Sequence, residues 1–224
     1  LDVGVGNGRY VPSASTHLMY VGCDFSEEMC KICQDKYVYC DGGPKTNRHV
    51  CVANARSLPF QSNAFDTVLC VAILHHVAGE EEREEGVREC LRVLAPWRRS
   101  SGDDEHTSDS VHRYNNHHPR QAIFYVWARE QQQPTRWNFE GARSRDVWVP
   151  WNGSGKLNNP TNTANAANSN TNQHLNRYIH TFERGELRGL VEKVGREVEA
   201  EKLVVVEEKW EKGNWKVVVE KHGV

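Results

Sequence analysis

No stretch of this chain approaches the roughly 18 consecutive apolar residues of a membrane span, and no signal-peptide pattern opens it. Cysteine is present but has no framework. Seven of them, an odd number at irregular spacing, exclude a secreted disulfide scaffold and read as reduced thiols of a cytosolic protein. There is no excess of either charge: 28 Lys and Arg against 30 Asp and Glu give a formal net charge of -2, without a global pull toward nucleic acid. What remains is a cytoplasmic domain with no expected membrane association. Its 224 residues are ample for a core. The mean hydropathy of -0.71 is low for a compact fold, so part of the chain is expected to lie outside that core.

Strand-like apolar runs occur at 19–23, 49–53, 65–71, 122–128, 202–208 and 215–220, with helical patterns at 27–36, 80–94 and 184–194. Strands alternating with helices predict an α/β fold, a mostly parallel Rossmann-like sheet with helices on both faces. The last two runs flank a turn around Gly213 and Asn214 and predict an antiparallel hairpin at a sheet edge. Two polar segments interrupt the pattern. Residues 97–121 are rich in Arg, Ser, Asp and His, and 153–174 in Asn, Thr, Ser and Ala. Both are too long and too polar for ordinary connections, and are expected to be flexible insertions in a single domain spanning 1–224. Leu1 already stands inside a strand-to-turn motif, so the sequence reads as a fragment whose N-terminus is truncated.

That motif is Asp2-x-Gly4-x-Gly6-x-Gly8. Such glycines let the backbone turn tightly and approach a ligand. A dinucleotide fingerprint would need a different third glycine position, which Arg9 or Val11 occupies. The pattern resembles that of S-adenosylmethionine-dependent methyltransferases, whose loop meets the amino-acid end and ribose of the cofactor. Asp24, at the end of the second strand, stands where a carboxylate can accept both ribose hydroxyls. Asn54 and Ala55 follow the third strand, where such enzymes usually place an Asp against the adenine. Ala72 follows the fourth, beside the methyl donor.

The resemblance narrows with LDVGVGNGRY, GCDFS, ARSLPF, AILHHV, CLRVLAP, IFYVWA, VPW, RYIHTFERGEL and a closing NW hairpin in one order. Together these are similar to the eukaryotic tRNA wobble-uridine carboxyl methyltransferases, covering nearly all of the chain but the two polar segments. The last blocks are the selective ones, since generic methyltransferases do not share them. The resemblance implies a class I seven-stranded fold and methylation of the carboxylate of 5-carboxymethyluridine at the tRNA wobble position, with S-adenosylmethionine as cofactor. It also implies a heterodimer with a small zinc-binding activator subunit, paired along the sheet edge near the third strand. The sequence departs from that pattern in three places: Val5 stands in the glycine loop, Asn54 replaces Asp, and Pro96-Trp97-Arg98 opens a polar segment where the family turns. Two alternatives remain open, a small-molecule carboxyl methyltransferase and a catalytically silent binding module on the same fold.

A carboxylate acceptor is already ionised at neutral pH, so its methylation needs no general base. It needs a clamp that orients the acceptor without quenching it. Arg177, Tyr178 and His180 suit that role, with His75 as a further catalytic candidate. His76 adjoins it at the strand's carboxyl edge, where open α/β sheets bind ligands. Trp127, Arg129, Arg136, Trp137, Arg143, Arg145, Trp148 and Trp151 interleave aromatics with cations. This composition suits a tRNA anticodon loop bound by stacking and phosphate contact; Trp127, Arg129, Trp151 and His76 are the nearest substrate-binding candidates. Cys30-x-x-Cys33 has no second pair at matching spacing and falls within a helix, so no metal site is expected in this chain.

Overall fold

A computed structural model describes residues 1–12, 18–38, 47–97, 120–131, 139, 144–151, 175–198 and 202–223, with backbone alone at 150, 151 and 175. The strands are β1 (Asp2–Val3), β2 (Tyr20–Asp24), β3 (Arg48–Val52), β4 (Thr67–Val71), β5 (Gln121–Trp127), β6 (Asp146–Trp151), β7 (Leu175–His180), β8 (Lys202–Glu211) and β9 (Asn214–His222). The helices are α1 (Glu27–Cys33), α2 (Glu80–Val93) and α3 (Glu186–Glu197).

Seven strands form one sheet in the order β3-β2-β1-β4-β5-β9-β8. The pairs among β1 to β5 are parallel, whereas β9 runs antiparallel to both β5 and β8. The expected parallel sheet with a C-terminal hairpin is therefore present. Lys212 (φ 50°) and Gly213 (φ 79°) make its two-residue turn, one position earlier than the sequence suggested. The chain runs one way from β2 through α1 to β3 and the other way from β4 through α2 to β5, and such parallel units cross over right-handedly as a rule. This puts α1 and α2 on opposite faces and leaves the strands' carboxyl ends open where the winding reverses.

The helices follow their apolar spacing. Leu187, Leu190, Val191 and Val194 make one buried stripe on α3, and Val87, Cys90, Leu91 and Leu94 continue a similar stripe along α2. Both pack around Phe124, Val126, Val217 and Val219 of the central sheet. Ser26 starts α1 by accepting a hydrogen bond from the Met29 N–H. The expected single helix over 27–36 changes at Gln34 to a π-helical turn, Gln34–Val38. Gln34 Nε2 donates to Val50 O across that turn, and Tyr37 packs on the glycine loop.

The main surprise is a second, two-stranded sheet of β6 and β7. Its alternation carries Val147, Val149 and Ile179 to an inner face against Trp127 and Phe139. Pro150 obscures that pattern in the sequence, yet an edge strand tolerates proline. The 3.0 Å bond from Phe182 N to Trp127 O ties the small sheet to the end of β5. Trp97 and Gln121, the ends of the first polar segment, belong to the folded core: Trp97 N donates to Lys221 O, and Gln121 begins β5. Residues 98–119 and the whole of 153–174 lie outside the described residues. No helix among the described residues is long and apolar enough to cross a membrane.

Candidate active site

At the carboxyl ends of β1, β2 and β4 lies a cavity of about 310 Å³. Gly4, Asp24, Asn54, Ala55 and His76 line it, together with Phe25, Arg56 and Ile73. The glycine turn is what opens it. Gly4, Gly6 and Gly8 all have positive φ, at 78°, 52° and 81°. A Cβ on Gly4 would stand 1.8 Å from Ile73 Cδ1, and one on Gly8 would stand 2.4 Å from the Tyr37 ring. Gly4 and Val5 both donate to Cys23 O, at 2.7 and 2.9 Å, which fixes the turn to β2.

Asp24 organises the next part. Its Oδ2 accepts from Gly6 N and its Oδ1 from Ser26 N, both at 2.9 Å. A carboxylate offers about four acceptor positions, so two remain for a ligand. Phe25, the next residue, is 78% exposed and presents an aromatic face at the same cavity. A backbone cradle that a Cβ would fill, a carboxylate with spare acceptors and an open aromatic ring fit a nucleoside carrying ribose hydroxyls. Phe25, Arg56 and Ile73 escaped the sequence reasoning, although the position of Phe25 directly after the acidic residue was a usable signal.

Other predicted cofactor residues do not line this cavity. Asp2 is buried and accepts a 2.7 Å hydrogen bond from the Tyr20 hydroxyl. Burial raises its pKa, against the lowering effect of that bond. Asp2, Gly6, Gly8 and Ala72 are outside the cavity lining. Ala72 nonetheless shapes it, because its left-handed backbone (φ 61°) turns the chain off β4 and sends Ile73 against Gly4. Asn54 Oδ1 accepts from Arg56 N at 3.0 Å, closing the turn after β3.

The two histidines separate cleanly. His75 is 1% exposed, and its Nδ1 accepts the Trp127 N–H at 3.2 Å. Burial, followed by His76, Arg177 and His180, holds its pKa well below the ordinary value, so the ring is neutral with its proton on Nε2. His76 is the one that reaches the cavity, with Nδ1 3.2 Å from Tyr178 O. Desolvation lowers its pKa, the Tyr178 carbonyl opposes that, and Arg177 lowers it further.

Arg177, Tyr178 and His180 are adjacent in β7 but differently engaged. The Arg177 guanidinium lies over the Trp127 ring, 5.1 Å from its centroid, and desolvation lowers its pKa. The Tyr178 hydroxyl bonds the Asp146 carboxylate and lies 3.1 Å from Ala78 O. Burial and Asp146 push its pKa up to about 12. His180 is buried between two acids, Nδ1 2.7 Å from Asp146 and Nε2 2.8 Å from Glu186. Burial alone would raise Asp146 and Glu186, yet their hydrogen bonds leave both pKa values lowered. His180 thus joins β6, β7 and the start of α3. Neither acid was given a role from the sequence: Glu186 stands in the selective RYIHTFERGEL block, but nothing local marks Asp146 as the partner of a distant histidine.

The Trp127 ring meets His75 (centroids 5.2 Å apart) and Phe139 (6.0 Å), both tilted against it. Arg129 pairs with Glu183 at 3.5 Å. Trp151 ends β6 opposite Leu175, and its side chain lies outside the described residues, as do Arg136, Trp137 and Arg143. Cys30 donates from Sγ to Cys51 O at 3.2 Å, and burial pushes the Cys33 thiol up to about 11. Among the described residues no group of three His, Cys, Asp or Glu side chains is arranged to hold a metal ion.

Residues 1–97 match the methyltransferase domain family. The chain is 28% identical to the tRNA (carboxymethyluridine(34)-5-O)-methyltransferase of Schizosaccharomyces pombe, over 99% of this chain and 80% of that protein. It is 26% identical to the corresponding Xenopus tropicalis protein over 98% of this chain, but spans 35% of that longer relative. Among solved structures, a chain of the complex between the Haloferax volcanii Trm112 methyltransferase activator and a methyltransferase superposes with a TM-score of 0.57 at 14% identity. That superposition covers 99% of this chain and 81% of the other.

Proposed function

We propose that this chain, a class I S-adenosylmethionine-dependent methyltransferase related along its length to tRNA (carboxymethyluridine(34)-5-O)-methyltransferases, methylates the carboxylate of 5-carboxymethyluridine in tRNA. The cavity formed by Gly4, Asp24 and Phe25, with His76 at its edge, is the observation that carries this reading. S-adenosylmethionine, when bound, supplies an electrophilic methyl group on a sulfonium. Asp24 would hold its ribose hydroxyls, and Asn54 and Ala55 would border its adenine.

The protein's own part in the transfer is orientation and exclusion of water. His75 is neutral and committed to the Trp127 backbone, so it supports the wall rather than taking a proton. His76 supplies a polar edge, and Arg177, held over the Trp127 ring, supplies a cation within electrostatic reach of it. Arg177→Ala is expected to lower kcat/KM for tRNA by about 100-fold, the scale of a lost charged contact, with S-adenosylmethionine affinity unchanged. Steady-state kinetics beside a cofactor titration checks this. Equal loss of both would make Arg177 structural.

A small zinc-binding activator is the proposed partner in a cytoplasmic heterodimer. β3 is an outer strand of the sheet, and Val52 on it and Ile32 on α1 are exposed apolar side chains. The six described cysteines are free thiols, which suits a reducing compartment.

The deciding experiment transfers labelled methyl from S-adenosylmethionine to tRNA carrying 5-carboxymethyluridine, with and without the activator. The product should lose its label in mild base, as an ester does and an N-methyl group does not. Label found on a small carboxylic acid alone would overturn the tRNA assignment.

A further inference from the structure

Trp148 is 68% exposed, an unusual position for the largest side chain. It projects from β6 directly opposite Tyr178 of β7, on the face of the small sheet turned away from Val147, Val149 and Ile179. The two rings meet edge to face, with centroids 5.9 Å apart and planes at 75°. Tyr178 is itself held by the Asp146 carboxylate and by Ala78 O, next to Val77 of the cavity wall. Its carbonyl also meets His76, the residue at the cavity's edge. Trp148 is therefore braced on one side, open on the other, and fixed to the rim of the cavity through one neighbouring residue.

Two described arginines on this side of the molecule already have acidic partners. Arg145 pairs with Glu186 at 3.0 Å and Arg129 with Glu183 at 3.5 Å. Phosphates would have to compete with those carboxylates, so an RNA gains less here from ion pairing than from a planar surface. Base stacking on an aromatic ring is tolerant of sequence, because every base has a π-face. Resting on the tRNA reading above, we propose that Trp148 is a stacking platform for a nucleobase of a single-stranded RNA loop, placed to guide the neighbouring methyl-acceptor residue into the cavity. The ring stands one residue, Tyr178, from His76 at the cavity's edge. On the tRNA reading the acceptor nucleotide enters beside His76, so the bases that flank it pass near this ring, which favours RNA as the occupant.

The test measures direct binding of an anticodon stem-loop RNA to the full chain by fluorescence anisotropy, beside KM for tRNA in methyl transfer. Trp148→Ala should weaken RNA binding and raise KM by about 5- to 100-fold, the range of one lost base–aromatic stack. The S-adenosylmethionine titration should stay at the wild-type curve. Trp148→Phe, which keeps a ring, should recover most of the binding and guards against misfolding of the alanine variant. Wild-type RNA affinity in Trp148→Ala would overturn the proposal. So would unchanged RNA affinity combined with loss of activator binding, which would make the ring a protein contact. If the wild type binds RNA in a Trp148-dependent way but transfers no methyl group to it, the platform stands and the proposed reaction falls.

Discussion

Asp24→Ala is expected to weaken S-adenosylmethionine binding by about 100-fold or more and to remove methyl transfer at ordinary cofactor concentrations. Two losses combine. The ribose hydroxyls lose their proposed acceptor, and the glycine turn loses the carboxylate that holds Gly6 N at 2.9 Å. The same substitution frees Ser26 N at the start of α1, where the other carboxylate oxygen is bonded. Hydrogen bonds to a charged group contribute about 1.5–3 kcal/mol each, and 100-fold in affinity is about 2.7 kcal/mol. Loss of the cofactor's own two contacts therefore suffices before any disorder in the turn is added. Asp24→Asn should give an intermediate loss, since the amide keeps one oxygen but must turn an NH2 toward an N–H or a hydroxyl. Calorimetric titration measures both variants, and thermal unfolding run beside it separates lost contact from lost fold. Wild-type affinity in Asp24→Ala would show that the carboxylate braces the turn without touching the cofactor.

The legible parts of this protein were those whose physics is local. The parallel sheet followed from short apolar runs at regular spacing, and the hairpin from Gly213 between valine-rich strands. The glycine turn was legible because Gly4 and Gly8 sit where a Cβ would strike Ile73 and Tyr37, a constraint that leaves a visible trace in the sequence. The β6–β7 sheet was not legible. Its strands are separated by the long polar segment, its inner face has few apolar residues, and Pro150 argues against a strand unless the strand is known to lie at an edge. The site shows the same division. The glycine turn and Asp24 were expected from their spacing together with their resemblance to methyltransferases, but nothing in His75-His76 tells which ring faces inward. That depends on the turn made by Ala72 at positive φ, a conformation that alanine does not advertise.

Pairing across distant segments also explains how a near-neutral chain can serve the proposed role. Among the described residues of the Arg/Trp stretch, Arg129 and Arg145 each meet a glutamate from the residues around the start of α3. Those two pairs leave less free positive charge for phosphates than the count of arginines suggests. Recognition then falls to aromatic surface and to geometry at the cavity rim.

Lys221→Met is expected to destabilise the fold by about 3 kcal/mol, because one ammonium group completes the end of α2. The last carbonyls of a helix lack intrahelical partners, and here those after Cys90 are met from outside the helix. Asn63 N donates to Arg92 O, and Ala64 N and Phe65 N to Val93 O. Lys221 Nζ supplies the rest, reaching Leu91 O at 3.0 Å, Leu94 O at 2.8 Å and Asn63 Oδ1 at 2.7 Å. The cation also complements the negative end of the helix dipole. Methionine fills the space but leaves two buried carbonyls without this donor, at about 1–3 kcal/mol each. For a domain of this size that corresponds to a fall in Tm of roughly 10 °C. The pH dependence tests the cause. Burial lowers the Lys221 pKa from 10.5 to about 8. Below pH 8 folded and unfolded chains both hold the proton, so the residue adds no slope. Between 8 and 10.5 the unfolded chain keeps a proton that the folded chain has released, and rising pH favours the folded state. The stability gap between wild type and Lys221→Met should therefore widen from pH 7.5 to pH 9.5 in urea denaturation. A constant gap would mean that the ammonium stays charged within the fold and that its three oxygen partners compensate fully for its burial.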